Sequence, residues 1–207
     1  IIEKVEANVS QVGSTTVSAH ILYDIVRKIP EGSLIEIEQN HDNQMELKSG
    51  LSNFDLPCLP DEDFPEMSSG KMSCNFNMNS KDLTRLIDKT RFAISTEETR
   101  YYLNGIFLHS INNELRSVAT DGHRLACIKA ELPSGAEEMP SIIIPRKTVG
   151  EIRKLLEDCA DDLVIKVSDT KIQFILKDVQ LTSKLIDGTF PDYERVIPKN
   201  NNKELSI

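Results

Sequence analysis

"SIIIPRKTVGEIRKLLEDCADDLVIKVSDTKIQFILKDVQLTSKLIDGTFP", residues 141 to 191, contains one complete copy of the unit from which the chain is built. A short apolar run, "SIIIP", reads as a strand. It is followed by a segment in which Val149, Ile152, Leu155 and Leu156 recur at three- and four-residue spacing, the pattern of a helix with one buried face. Three strand-like segments follow, "LVIKVS", "KIQFILKD" and "QLTSKLI", and the copy closes on Phe190-Pro191. The same order appears between Thr15 and Pro65: "STTVS", "SAHILYDIVRKI", "SLIEIEQ", "MELKSG" and "NFDLPCL", closing on Phe64-Pro65. A third version lies between them: "KMSCNFNMN", "SKDLTRLIDKTRFAI", "RYYLNGIFLHS", "LRSVAT" and "HRLACIKAEL". Recurrence of strand, helix and meander is an internal repeat. It predicts an α+β fold of repeated strand-helix-three-strand units with helices on one face of antiparallel sheets.

The repeat also predicts the domain plan. If a whole domain is two units, residues 1–68 are the rear half of a first domain, 69–191 a complete second domain, and 192–207 a linker and the start of a third. On that plan the chain begins inside a domain, and "YERVIPKNNNKELSI" leads through a Pro-, Lys- and Asn-rich linker into a further strand.

Composition is that of an ordinary globular chain, 39% hydrophobic and 28% charged over 207 residues. No run approaches the length of a membrane helix, and "IIEKVEANVS" is no signal peptide, so a cytoplasmic protein with no membrane partner is expected. Cys58, Cys74, Cys127 and Cys159 are widely spaced among apolar residues and are expected to be reduced and buried, without zinc or disulfides.

The net charge of −9 taken alone argues against nucleic acid. Its distribution argues the other way. The first helix presents Leu22, Ile25, Val26 and Ile29 inward from a Ser18 cap and stops before Pro30. The second, over 80–94, has Asn79 or Ser80 as cap and buries Leu83, Leu86, Ile87 and Ile94, leaving Lys81, Arg85 and Lys89 on another side. The third leaves Arg146, Lys147, Arg153 and Lys154 outward. Each predicted helix carries more bases than acids, so the acidic excess resides in strands and loops. Basic helices gathered on one face suit a phosphate backbone read without regard to sequence.

"VATDGHRLAC", residues 118–127, brings Asp121, His123 and Arg124 together behind Gly122. As a catalytic or metal-binding set it lacks companions: the other histidines are His20, His41 and His109, and no further acidic or cysteine cluster has ligand spacing. "TDG" is turn chemistry, with Gly122 supplying the positive φ of a two-residue hairpin loop. There is no GxxxxGK[ST] and no GxGxxG, so no nucleotide site and no cofactor is expected.

"RYYLNGIFL", "SVATDGHRLA", "IIIPRKTV", "TSKLIDGTFPDYERVIP" and "FPEM" together resemble, in order and spacing, the beta subunit of bacterial DNA polymerase III, the sliding-clamp family, and the similarity runs over essentially the whole chain. The resemblance implies a non-catalytic processivity factor. In that family three like domains per chain and two chains close head to tail into a homodimeric ring, and helices line a hole through which duplex DNA passes. A clamp-loader complex opens the ring; the replicative DNA polymerase, the loader and repair proteins dock through a short linear peptide. Carried over by position, the peptide cleft would comprise Leu103, Thr120, Gly122, His123, Arg124 and Leu125, with Pro191, Arg195 and Val196 on its other side. The DNA surface would take in His20, Arg27, Lys81, Arg85, Lys89, Arg100, Tyr101, Tyr102, Arg146, Lys147 and Arg153. This chain departs from the family at His20, where many members carry arginine, and at Glu97, where a neutral amide can occur. From the residues alone, an adaptor or RNA-binding domain using the basic helices, or a hydrolase using Asp121 and His123, remain alternatives.

Overall fold

The computed structural model describes residues 1–40, 43–65, 67 and 70–198, and these fall into two compact units: Glu6–Ser68, and Ile1–Val5 together with Ser69–Ile207. The linker and strand expected from Lys199 onward lie outside the described residues. Strand β1 (Ile2–Glu3) belongs to the larger unit.

The smaller unit holds β2 (Thr16–Val17), α1 (Ala19–Val26), β3 (Glu36–Gln39), β4 (Gln44–Ser49) and β5 (Ser52–Leu59). Its antiparallel sheet runs β2-β5-β4-β3. Met45, Leu47, Leu56 and Cys58 alternate onto one face and are buried against Leu22, Ile25 and Ile29. The helix ends at Val26, short of Pro30, and Val26 is exposed rather than inward. Ser18 occupies the N-cap position without a capping side-chain bond.

The larger unit contains two copies of the strand-helix-meander unit. One is β6 (Cys74–Asn79), α2 (Ser80–Asp88), β7 (Gly105–Ile111), β8 (Glu114–Thr120) and β9 (Leu125–Glu131). The other is β10 (Ile142–Pro145), α3 (Arg146–Leu155), β11 (Asp162–Val167), β12 (Lys171–Leu176) and β13 (Val179–Lys184). The copies exchange their first strands. Sheet order is β1-β13-β12-β11-β6 in one sheet and β10-β7-β8-β9 in the other. Thus β6 pairs along its whole length with β11, Cys74 opposite Val167 and Asn79 opposite Asp162, while β10 pairs with β7, Ile142 opposite Leu108.

This exchange builds one core. Phe76 and Met78, Ile106 and Leu108, Leu163 and Ile165, and Ile172 and Phe174 point inward at period two from both sheets. Leu83, Leu86 and Ile87 of α2 and Val149, Ile152 and Leu156 from α3 and its C-cap close the core. The helices pack on one side of the four-stranded sheet, as the repeat predicts. Two-residue hairpin loops join β7 to β8 at Asn112-Asn113 and β12 to β13 at Lys177-Asp178, and positive φ at Asn112, Asn113 and Lys177 accommodates the turns.

Helix α2 is shorter than its periodicity predicts. The Asn79 side chain caps its start by accepting from the Lys81 amide at 3.0 Å. Near its end the Leu86 carbonyl is taken by the Thr90 hydroxyl at 2.6 Å and the Ser117 hydroxyl at 3.3 Å, and the Thr90 amide turns to Ile87 instead. The chain then runs through a 3-10 turn, Arg91–Ala93, and Ile94 reaches the core from beyond the helix. The cysteines divide: all four are free, but Cys127 is exposed and Cys159 half-buried, so only Cys58 and Cys74 are buried fillers. Cys127 lies on β9 at the position out of phase with core residues Ala126 and Ile128.

Gly105 pairs with Pro145 at the end of the β10-β7 ladder. A Cβ there would collide with the Ile144 carbonyl oxygen and press on the Ile143 side chain. Gly105→Ala should therefore destabilise the larger unit by about 2–3 kcal/mol, read as a lower urea midpoint with an unchanged slope.

Candidate peptide cleft and nucleic-acid surface

The face of the four-stranded sheet turned away from the helices is also covered. Ile143 of β10 and Val118 of β8, out of phase with the core, are buried in a second cluster with Leu103, Phe190 and Tyr193; Tyr102, Phe107, Leu125 and Ile186 pack around it. The covering element is the arm that follows β13. Its start is tied down by the Ile186 amide donating to the Ile143 carbonyl at 3.0 Å. Phe190 stacks on Phe107 with ring centroids 4.7 Å apart, and Tyr193 opens a 3-10 turn, Tyr193–Arg195.

This cluster joins the two groups of residues that the resemblance assigns to a cleft. Leu103 is buried and Leu125 half-buried. Pro191, Arg195 and Val196 stand exposed on the arm; Val196 is 67% accessible, and Arg195 pairs with Asp192 at 2.7 Å. Exposed apolar side chains beside a buried apolar floor form a surface able to receive a further apolar group.

The loop between β8 and β9 is four residues long, Asp121–Arg124, with Thr120 paired to Leu125. It is not the two-residue turn expected. Gly122 does adopt positive φ, +91°. The extra length is stabilised by the loop's own polar groups. The Asp121 carboxylate accepts from the His123 and Arg124 amides, both at 3.0 Å, and from Arg124 Nε at 2.9 Å. The Thr120 hydroxyl donates to the Arg124 carbonyl at 2.7 Å and accepts from the Gly122 amide. Arg100 holds the loop from outside, donating to the Asp121 carbonyl at 3.1 Å while gripping Glu97 with two bonds of 2.8 and 2.6 Å. Arg124 lies over the Phe92 ring. The His123 and Arg124 amides, then the Arg124 guanidinium, hold the Asp121 carboxyl down to about 2. A carboxylate so engaged is a poor general base. Among the described residues, no three His, Cys, Asp or Glu side chains gather as a metal-binding group.

Candidate DNA residues occupy several settings. Tyr101 and Tyr102 lie in a 3-10 turn, Tyr101–Leu103, rather than a strand; Tyr101 is 53% exposed and Tyr102 packs on the second cluster. On α2 and α3, a groove of about 600 Å³ brings Lys81, Arg85 and Arg153 together. Arg153 is not the free outward cation expected: it is mostly covered and bonds Asp88 at 3.0 Å and Glu157 at 3.1 Å. Arg85 contacts Asp82 at 3.7 Å, whereas Lys81, Lys89, Arg146 and Lys147 have no ion pair among the described residues. A second cavity, of about 310 Å³, collects Arg146 with Arg91, His123 and Arg124 behind the 121–124 loop. His20 and Arg27 lie on or next to α1 of the smaller unit, Arg27 pairing with Asp24 at 3.2 Å.

Comparison with known proteins decides the family. The profile described as the central domain of the DNA polymerase III beta subunit matches residues 77–192, and that of its N-terminal domain matches residues 1–68. The chain belongs to the DNA polymerase III beta subunit family. It is 47% identical over 212 residues to the beta sliding clamp of Caulobacter vibrioides, covering 100% of this chain and 57% of that protein. Against the Escherichia coli beta sliding clamp it is 40% identical over 195 residues, 93% of this chain and 52% of that one. Among solved structures, the Bartonella birtlesii clamp bound to griselimycin superposes with a TM-score of 0.93 at 52% identity, covering 97% of this chain and 55% of that one. The chain spans a little over half the length of these relatives, and its α+β architecture is the sliding-clamp fold.

Sequence reading missed the buried apolar cluster beneath the candidate cleft, Val118, Ile143, Phe190 and Tyr193. One signal was available. "III" at 142–144 is apolar at both parities, which marks a strand covered on both faces.

The Asp121 bonds yield a pH prediction. Its pKa is depressed from 3.8, so the loop's stabilisation is present above pH 3.8 and is lost as pH falls through about 2. In an NMR titration the His123 and Arg124 amides should shift with a midpoint near 2, and Asp121→Asn should abolish that transition.

Proposed function

We propose that this chain is the larger part of a DNA polymerase processivity factor. In the whole protein, like domains form a homodimeric ring around duplex DNA, and a cleft on the outer sheet face tethers the replicative polymerase, the clamp loader and repair proteins by a short peptide. Residues 1–68 then supply the rear of the first domain, 69–191 the middle domain, and 192–207 the approach to the third.

The observation that carries this reading is the second apolar cluster. In it Leu103 and Leu125 pack with Phe190 and Tyr193 of the arm that also bears Pro191, Arg195 and Val196, and Thr120, His123 and Arg124 lie just before Leu125 at the end of β8 and in the loop that follows, which supports a common cleft. An apolar trough with a few orienting polar groups suits a peptide held by one or two apolar anchors. The Asp121 carboxylate and the Thr120 hydroxyl are engaged by the loop's own amides, carbonyl and guanidinium, so that loop supports docking rather than chemistry. Tethering raises the local concentration of a partner without any reaction at the cleft.

DNA meets the protein through the helices. Lys81, Lys89, Arg146 and Lys147 are, among the described residues, unpaired cations on α2, α3 and their ends, and loose phosphate contact of this kind permits sliding.

Two measurements test the reading. Calorimetric titration with a hexapeptide ending in Leu-Phe should show micromolar binding. Leu125→Asp should abolish it by setting a carboxylate against apolar walls; equal affinity in both proteins, with intact circular dichroism, would place the peptide elsewhere. Replacing Lys81, Arg85 and Lys89 by alanine should flatten the salt dependence of duplex binding by roughly 0.9 in the log-log slope for each phosphate no longer neutralised. An unchanged slope would remove α2 from the DNA surface.

A further inference from the structure

One wall of the proposed cleft is not part of any sheet. The arm carrying Pro191, Arg195 and Val196 rests on the outer face of β7 and β8, and near its end it is attached through two side chains that share Arg116, the Tyr193 hydroxyl and the Glu194 carboxylate. That hydroxyl lies 3.0 Å from His109 Nε2 and accepts from Arg116 Nη1 at 3.3 Å. Arg116 also bonds Glu194 of the arm at 2.6 Å and Glu114 at 3.1 Å. A guanidinium only donates, so the tyrosine oxygen accepts from Arg116, and its own proton is available to His109 Nε2 whenever that nitrogen is unprotonated. A neutral imidazole with its proton on Nδ1 receives that hydroxyl proton at Nε2. Below this junction the rings stack in series, His109 on Phe107 at 4.6 Å and Phe107 on Phe190 at 4.7 Å.

We infer that residues 190–196 are a clasped arm, and that Tyr193, His109 and Arg116 are positioning residues which fix the peptide cleft's outer wall without touching the peptide. The inference rests on the cleft reading above. It follows from where the attachments to the sheet end: beyond Glu194, among the described residues, the arm is held by turn bonds, Arg195 to Asp192 and Val196 to Tyr193, and by the exposed Arg195–Asp192 pair. The Val196 amide bonds the Tyr193 carbonyl at 3.2 Å, so the position of Val196 follows that of Tyr193.

The clasp is sensitive to acid. Burial, then the nearby Arg116, hold His109 below its usual 6.5, with Glu194 opposing. The charged and titratable groups around the junction are Arg116 and Glu114 on β8, Cys127 and Lys129 on β9, and Tyr193 and Glu194 on the arm. Because the seated state depresses the histidine pKa, seating is favoured above pH 6.5 and is lost as pH falls below it. Protonation turns the acceptor Nε2 into a donor and adds a cation beside Arg116.

The test compares the protein with Tyr193→Phe, which keeps the ring and removes only the hydroxyl. Hydrogen exchange should accelerate roughly tenfold or more at the Arg195 and Val196 amides while β7 and β8 remain protected. The labelled Leu-Phe hexapeptide should bind several-fold more weakly at about pH 7.5, and the gap between the two proteins should close as pH is lowered to about 5.5. That convergence is the part a merely structural role would not produce. His109→Phe, which removes the acceptor and keeps a ring in the stack, should behave as Tyr193→Phe does. Failure of the unsubstituted protein to bind the hexapeptide would defeat the cleft reading. Binding that Leu125→Asp abolishes, but that Tyr193→Phe leaves unchanged at every pH, would overturn the clasp alone; so would unaltered exchange at Arg195 and Val196.

Discussion

The exchange of first strands between the two repeat copies is the constraint on which the larger unit depends. A strand-helix-meander copy alone has one amphipathic helix and four strands, too little to enclose its apolar residues. Pairing β6 with β11 and β10 with β7 makes each sheet the joint product of both copies. Each helix leaves one shared strand and returns over the same core, so α2 and α3 lie side by side and Arg153 of one reaches Asp88 of the other. The Gly105 approach shows how closely the seam is fitted, because backbone meets backbone there without room for a methyl group.

Once the helices occupy one face of the β10-β7-β8-β9 sheet, the other face is available for something different. Ile143 and Val118 make that face apolar, and the arm after β13 covers part of it and leaves a margin. Helices α2 and α3 and the second apolar cluster thus lie on opposite faces of a single sheet, while Arg146 meets His123 and Arg124 at its margin. The 121–124 loop stands at the margin, and its carboxylate, hydroxyl and guanidinium bond chiefly to one another or to the loop backbone. A loop satisfied in this way keeps its shape whether or not a ligand is present, which lowers the ordering cost of recognition.

Much of this was legible in sequence, for reasons that differ by element. Helix faces and strand alternation were readable because burial imposes period 3.6 or 2 on residues such as Val149, Ile152 and Leu156, or Leu163, Ile165 and Val167. The repeat carried the order of elements but not the strand exchange, since the pattern of β6 is the same whichever meander it joins. The end of α2 was hidden because Ile94 continues the apolar spacing, while the Leu86 carbonyl is claimed by Ser117 from another strand, a tertiary fact. Arg153 read as a free cation because its partner Asp88 is 65 residues away. The cleft rim came from the resemblance; its floor did not, because Tyr193 and His109 carry no motif that shows they meet.

Electrostatics divides the helix cations into two groups. Counting charges by sequence treats every lysine and arginine alike, but Arg153 and Arg91 are both matched by Asp88 of α2, and Lys154 by Glu151 on its own helix. Among the described residues of α2, α3 and their ends, the unmatched set is small, Lys81, Lys89, Arg146 and Lys147, on a chain whose net charge is −9. Few free cations on an acidic body give attraction to a phosphate backbone only at short range, since beyond about 10 Å at about 0.1 M salt screening removes it. A protein that must hold its place on DNA by direct attraction would need more cations than this. One that encloses DNA needs only enough to keep the duplex centred, and a surplus would cost it mobility. The pairing of helix cations with helix carboxylates is therefore what the enclosing reading requires of this surface.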